Sequence, residues 1–162
     1  RLEPTWMNIG EDAGFAAALA KKKGVNAADI DSEELVMQLA DAKVMLSFFN
    51  DVDLGEDSDW IPALQYFAVK GFFPGYNASA EEALDEGTAK NWAAAYTALK
   101  AELENGDAYK PMATARKVAA GRGGAPVSPK EFCEMIGIDP QSNDVGPLPR
   151  GEACLLMYKS LK

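Results

Sequence analysis

The chain has 162 residues, with 25 acidic against 16 basic side chains, no histidine and a net charge of −9. That excess of carboxylates repels phosphate backbones and anionic lipid, which argues against nucleic acid and acidic membrane surfaces as partners. Without histidine there is no imidazole metal ligand, no Ser–His or Cys–His pair, and no side chain whose ordinary pKa lies near neutrality.

The length suits one domain or two small ones, and 48% hydrophobic residues are enough for a sizeable core. No apolar run approaches the roughly 20 residues that span a bilayer. The alanine-rich start carries Glu11 and Asp12 and has no basic leader, so it does not read as a signal peptide.

In chain order the pattern predicts short helices. Pro4 suits a first helical position, Gly24 suits the residue past a C-terminus, and Lys21, Lys22 and Lys23 complement the dipole at that end. This predicts a helix over 4–23. In "DIDSEELVMQLADAKVM", Asp31 is a cap with Glu34 as its capping-box partner, and Leu35, Val36, Leu39, Ala42 and Met45 make an apolar face. "KVMLSFF" allows a short strand, and "NDVDLGEDSD" is a polar loop.

A helix over "DWIPALQYFAVKG" would start at Asp59 and stop at Gly71. Pro-Gly in "FFPGYNASAEEALDEG" makes a turn-rich connection. "TAKNWAAAYTALKAELENG" is the longest clean helix, ended by Gly106, and a weaker one covers 109–120. "GRGGAP" is a loop. Ser128 caps and Pro129 opens "SPKEFCEMIG", and "RGEACLLMYKSL" is the final helix. Three segments thus share the order turn, cap, short amphipathic helix, at irregular spacing.

Cys133 and Cys154 both lie in apolar helical patterns and read as small core residues, with a disulfide between them left open. Carboxylates alternate at Asp51, Asp53, Asp57 and Asp59, which invites calcium. The EF-hand glycine and bidentate glutamate positions, counted from Asp51, hold Glu56 and Pro62, so no metal site is expected there. The pairs Glu33–Glu34 and Glu81–Glu82 fall in polar stretches expected to be exposed, and no catalytic residue is assigned. Trp60, Tyr66, Phe67, Phe72, Phe73 and Tyr76 are expected to pack a core around the Pro-Gly turn, with a sugar-stacking platform as the other reading.

Two resemblances emerge from these residues. "FNDVDLGEDSDWIPALQYFAVKGFFPGY" and "LPRGEACLLMYKSL" resemble S-layer homology domains, in which an arginine at a helix start grips anionic cell-wall glycans. By that likeness Arg150 is the candidate anion- or glycan-contacting residue, with Glu152 beside it. Ala89 and Asn91 stand at the corresponding charged positions of "GTAKNWA", and Pro129 and Glu131 at those of "SPKEFC". The start of the chain, with Glu3, Pro4, Met7, Gly10, Gly14, Ala17, Ala18, Leu19 and Ala20, resembles the end of the flavin domain in bacterial FAD-dependent oxidoreductases, many of which continue into such a helical tail.

The second likeness spans nearly the whole chain. It implies residues 1–46 as the terminal helices of a FAD-binding domain and 47–162 as a tail resembling S-layer homology domains. The implied fold is mainly α: a compact bundle of short helices with long loops, preceded by a helical hairpin. It also implies that Glu3, Pro4 and Thr5 lie nearest the flavin ring of the parent protein, while Gly10 and Gly14 let the helix approach the flavin domain closely.

No strand followed by G-x-G-x-x-G is present, so FAD binding by this chain alone is not expected. The expected partners are the rest of the parent flavin domain and, through the uncovered first helix, a second copy. The other class is a glycan-binding module that has lost most of its arginines.

Overall fold

The computed structural model describes residues 2–105, 123–140 and 144–162. The chain is mainly α-helical, with six α-helices and no named strand among the described residues. Helix α1, Glu3–Lys23, ends where Gly24 turns left-handed at φ 68°, a conformation that costs glycine nothing. A short 3-10 turn, Ala27–Asp29, leads to α2, Ser32–Asp41. The Asp31 carboxylate caps α2 by accepting the N–H groups of Glu33 and Glu34. The Glu34 side chain meets Lys23 of α1 and Gln38 instead of reaching back to Asp31, so the expected reciprocal box is not closed.

The predicted strand at "KVMLSFF" is absent. Its backbone is captured by one buried side chain: Leu46 and Ser47 both donate N–H to Oε1 of Gln65, at 2.8 Å each, and Gln65 is 1% exposed. Two buried amides satisfied by an amide oxygen have no need of a ladder partner. Gln65 belongs to α3, Ile61–Val69, whose N-cap is Trp60 rather than Asp59.

Helices α4 (Glu86–Glu104), α5 (Pro129–Ile136) and α6 (Arg150–Lys159) begin around one small ring of backbone hydrogen bonds. Leu84 donates N–H to the carbonyl of Leu148, Leu148 to Val127, and Val127 back to Leu84, at 2.8, 2.8 and 3.0 Å. Each ring residue directly precedes the N-cap of its helix: Asp85, Ser128 and Pro149. The three turn–cap–helix segments seen in the sequence therefore meet head to head. Ser128 and Glu131 form a closed capping box.

The ring also corrects the alignment of the first segment. Thr88 is not a cap. Its N–H and hydroxyl both bond the Asp85 carboxylate, which starts α4 one turn earlier. Glu86 and Thr88, not Ala89 and Asn91, thus correspond to Arg150 and Glu152. The predicted helix over 109–120 and the Gly106 stop lie outside the described residues, and α4 runs to a C-cap at Asn105.

The core lies between α3, α4, α5 and α6. Trp92, Tyr66, Phe67, Phe72, Phe132 and Met157 are fully buried in it. Rings run in contact from Tyr66 to Phe67, Phe72 and Trp92 with centroids 5.0, 4.8 and 6.1 Å apart, and Trp92 Nε1 donates to the Phe72 carbonyl. Aromatic pairs of this kind contribute about 0.5–1.5 kcal/mol each beyond area burial. Of the six aromatics expected there, Tyr66, Phe67 and Phe72 are buried, Trp60 and Phe73 pack against the cluster, and Tyr76 is out in solvent. Both cysteines are buried free thiols, and burial pushes their pKa values up.

Candidate functional site

Glu3, Pro4, Thr5, Gly10 and Gly14 share one helix, and all are exposed. Along α1 the first fully buried residues are Leu19 and Ala20, near its C-terminal end. Before them Asn8, Asp12, Phe15 and Ala16 are half-buried and the other described residues of the helix are exposed, including Trp6 at 64% and Met7 at 75%. A Cβ built on Gly10 or Gly14 meets nothing within 4 Å. Neither glycine is required by a close contact among the described residues, although each weakens the helix by roughly 0.5–1 kcal/mol relative to alanine. Leu2, the N-cap, supplies no capping side chain, so the first-turn N–H groups of Glu3 and Thr5 have no side-chain cap, and Pro4 has no N–H to satisfy. Oδ1 of Asp12, also on α1, is shielded from water and has no hydrogen-bond partner.

Arg150 sits elsewhere, at the start of α6. Its guanidinium lies over the rings of Trp92 and Phe73 at 5.5 and 5.8 Å, and its Nε is buried without a partner. The next residue, Gly151, packs so tightly on Trp60 that an added Cβ would lie 2.9 Å from the indole. Asp51, first of the alternating carboxylates, ties the loop after the Pro-Gly turn by accepting the N–H groups of Ala78 and Ser79 at 2.8 and 2.7 Å. A different aromatic pair is exposed: Phe48 against Tyr76, centroids 6.4 Å apart, beside a hydrogen bond between the Asn50 and Asn77 side chains.

An open groove of about 700 Å³ runs along α2, lined by Asp31, Glu33, Glu34, Met37, Asp41, Leu103 and Lys162 among others. Two of its carboxylates are bound in matching ways. Glu33 accepts from the hydroxyl of Tyr66 and the ammonium of Lys70. Asp41 accepts from the hydroxyl of Tyr158 and the ammonium of Lys162, at 3.0 and 2.8 Å. In both, the lysine also lies over its tyrosine's ring, and the two tyrosine rings touch at 5.2 Å. Burial, then the neighbouring carboxylate, pushes the pKa of Tyr66 and of Tyr158 upward, so both stay proton donors.

Glu33 was expected in solvent with Glu34, yet its side chain is only 12% exposed against 35% for Glu34. Both clusters carry a Tyr-x-x-x-Lys spacing, but Tyr96–Lys100 shares it without such a carboxylate, so the spacing alone does not locate them. No group of three or more metal-ligating side chains occurs among the described residues, and no helix among them is long and apolar enough to cross a membrane. Comparison with family models, curated proteins and solved structures finds no match.

Proposed function

We propose that this chain is the C-terminal part of a FAD-dependent oxidoreductase: α1 and α2, within residues 1–46, are the terminal helices of the flavin domain, and α3–α6 form a tail that packs or assembles the enzyme without a catalytic centre of its own. The observation that carries the reading is the mismatch between what α1 is made of and what it touches. Among the described residues its glycines meet no neighbour, its apolar residues Leu2, Trp6, Met7 and Ile9 are exposed, and the shielded oxygen of Asp12 has no hydrogen-bond partner. A surface of that kind fits burial against another body. Under this reading Gly10 and Gly14 set the closeness of that contact, while the helix start at Glu3, Pro4 and Thr5, with the uncapped N–H groups of Glu3 and Thr5, faces the cofactor, where a helix N-terminus stabilises developing negative charge.

The test is a pair of measurements on Gly10→Leu with Gly14→Leu. In the chain alone the double variant should keep the melting temperature or raise it slightly. In the parent flavoprotein it should lose bound FAD while the tail stays folded. A parent without a strand and G-x-G-x-x-G unit upstream of Arg1, or one that retains FAD in the variant, overturns the reading. A second reading, a glycan-binding tail, is favoured by the exposed Phe48–Tyr76 pair with its neighbouring amides, since rings and amides together suit a saccharide. Retention on a cell-wall polymer, lost in Tyr76→Ala and in Arg150→Ala, would support it, and no retention by the native chain removes it.

A further inference from the structure

The α1–α2 unit has its own small core. Leu19, Ala20, Leu39 and Val44 are buried, but they stand outside the large cluster that joins α3 to α6. From α2 only Ala40 is a fully buried member of that cluster, with Val36 and Met37 packed at its edge. Helix α2 also packs on α3 through Ala40, Val36 and Met37, and polar contacts add to that attachment. Glu33 and Asp41 lie two turns apart on one face of α2, each held by a tyrosine and a lysine from the other body: Tyr66 and Lys70 at α3, Tyr158 and Lys162 at and just beyond the end of α6. The backbone between the bodies carries a strained point, Lys43 at φ 56°, just before Leu46 and Ser47 are pinned by Gln65. The groove along α2 gives water and salt a route to both carboxylates.

We propose that α1 and α2 form a hinged unit, latched to the tail by Glu33 and Asp41, which opens as one piece about residues 42–45 while α3–α6 stay folded. The latch is electrostatic, so its strength is set by charge and ionic strength as well as by apolar contact. The inference concerns two parts of this chain and does not rest on the flavin reading.

The test is amide hydrogen exchange on the whole 162-residue chain, residue by residue. In the native protein the amides of 34–41 should exchange at a common rate, at least about tenfold faster than those of 92–99 in α4, as expected for a separate cooperative unit. Glu33→Gln with Asp41→Asn should accelerate 34–41 by a further factor of about ten or more, the size expected for losing charge-assisted bonds, with 92–99 unchanged. The milder Tyr158→Phe with Lys162→Gln opens one latch only and should give a smaller change of the same sign. Raising salt from low to molar concentration should act in the same direction on the native chain. Equal rates for 34–41 and 92–99 in the native protein overturn the proposal. So does a variant that accelerates both segments alike or fails to fold at all, because the unit would then be integral to the core.

Discussion

The two ends of the molecule solve the problem of starting a helix in opposite ways. Helices α4, α5 and α6 start on a closed ring of backbone hydrogen bonds; Asp85 and Ser128 cap the first two, the first amides of α6 donate to the carbonyls of Glu82 and Ala80, and apolar residues of all three enter a shared core. Helix α1 is more than twice as long as α5, yet it starts with no cap and buries only residues near its end. Helix propensity alone holds a segment of that length weakly in water, so α1 depends on its junction with α2. The contrast teaches that length and regularity say little about what holds a helix; partners do.

Substitutions should sharpen that contrast. Trp92→Ala removes the largest fully buried side chain and its bond to Phe72, and should cost about 3–5 kcal/mol, read as a fall in the chemical-denaturation midpoint. Gly151→Val forces a side chain into the Trp60 indole while the backbone is tied to Ala80, and should cost about 1–3 kcal/mol by the same measurement. Asp85→Ala removes the α4 cap and should cost about 1 kcal/mol.

Asp85 also predicts a pH profile. Burial acts to raise its pKa, but bonds from Thr88 and the Gly123 N–H outweigh this and hold it below the usual carboxylate value. A depressed folded pKa means stability that is whole above the unfolded value, near about 4, and lost as pH falls through the folded one. The difference in stability between native and Asp85→Asn protein should therefore shrink below about pH 4. At the small end, Trp6→Ser with Met7→Ser should move stability by no more than about 0.5 kcal/mol despite replacing a tryptophan. A loss comparable to that of Trp92→Ala would erase the distinction between the two ends.

Local chemistry was legible in the sequence. Gly24 closing α1, Asp31 starting α2, and Ser128 capping ahead of Pro129 each depend on residues a few positions apart, and each is where the spacing put it. Errors arose where a distant group competed. The strand at "KVMLSFF" lost its amides to Gln65, far along the chain. The start of α4 was set by an aspartate that also accepts from Gly123, a partner that no periodicity reveals. Glu33 looked like solvent-facing charge because Tyr66 and Lys70 come from another helix. As for the candidate site, Glu3, Pro4, Thr5, Gly10 and Gly14 were singled out by resemblance alone, since they are exposed and no packing among the described residues marks them.

The ring of Leu84, Val127 and Leu148 has a kinetic side. None of its three bonds joins neighbours in sequence, and two of the three need Leu148, so the ring cannot close until the last segment arrives. Loop closure must therefore precede the reward, and topology of that kind slows folding even in an all-helical chain. Refolding of the tail should be a single late event, slower than its helix content alone would suggest, with α4, α5 and α6 becoming protected together rather than in order.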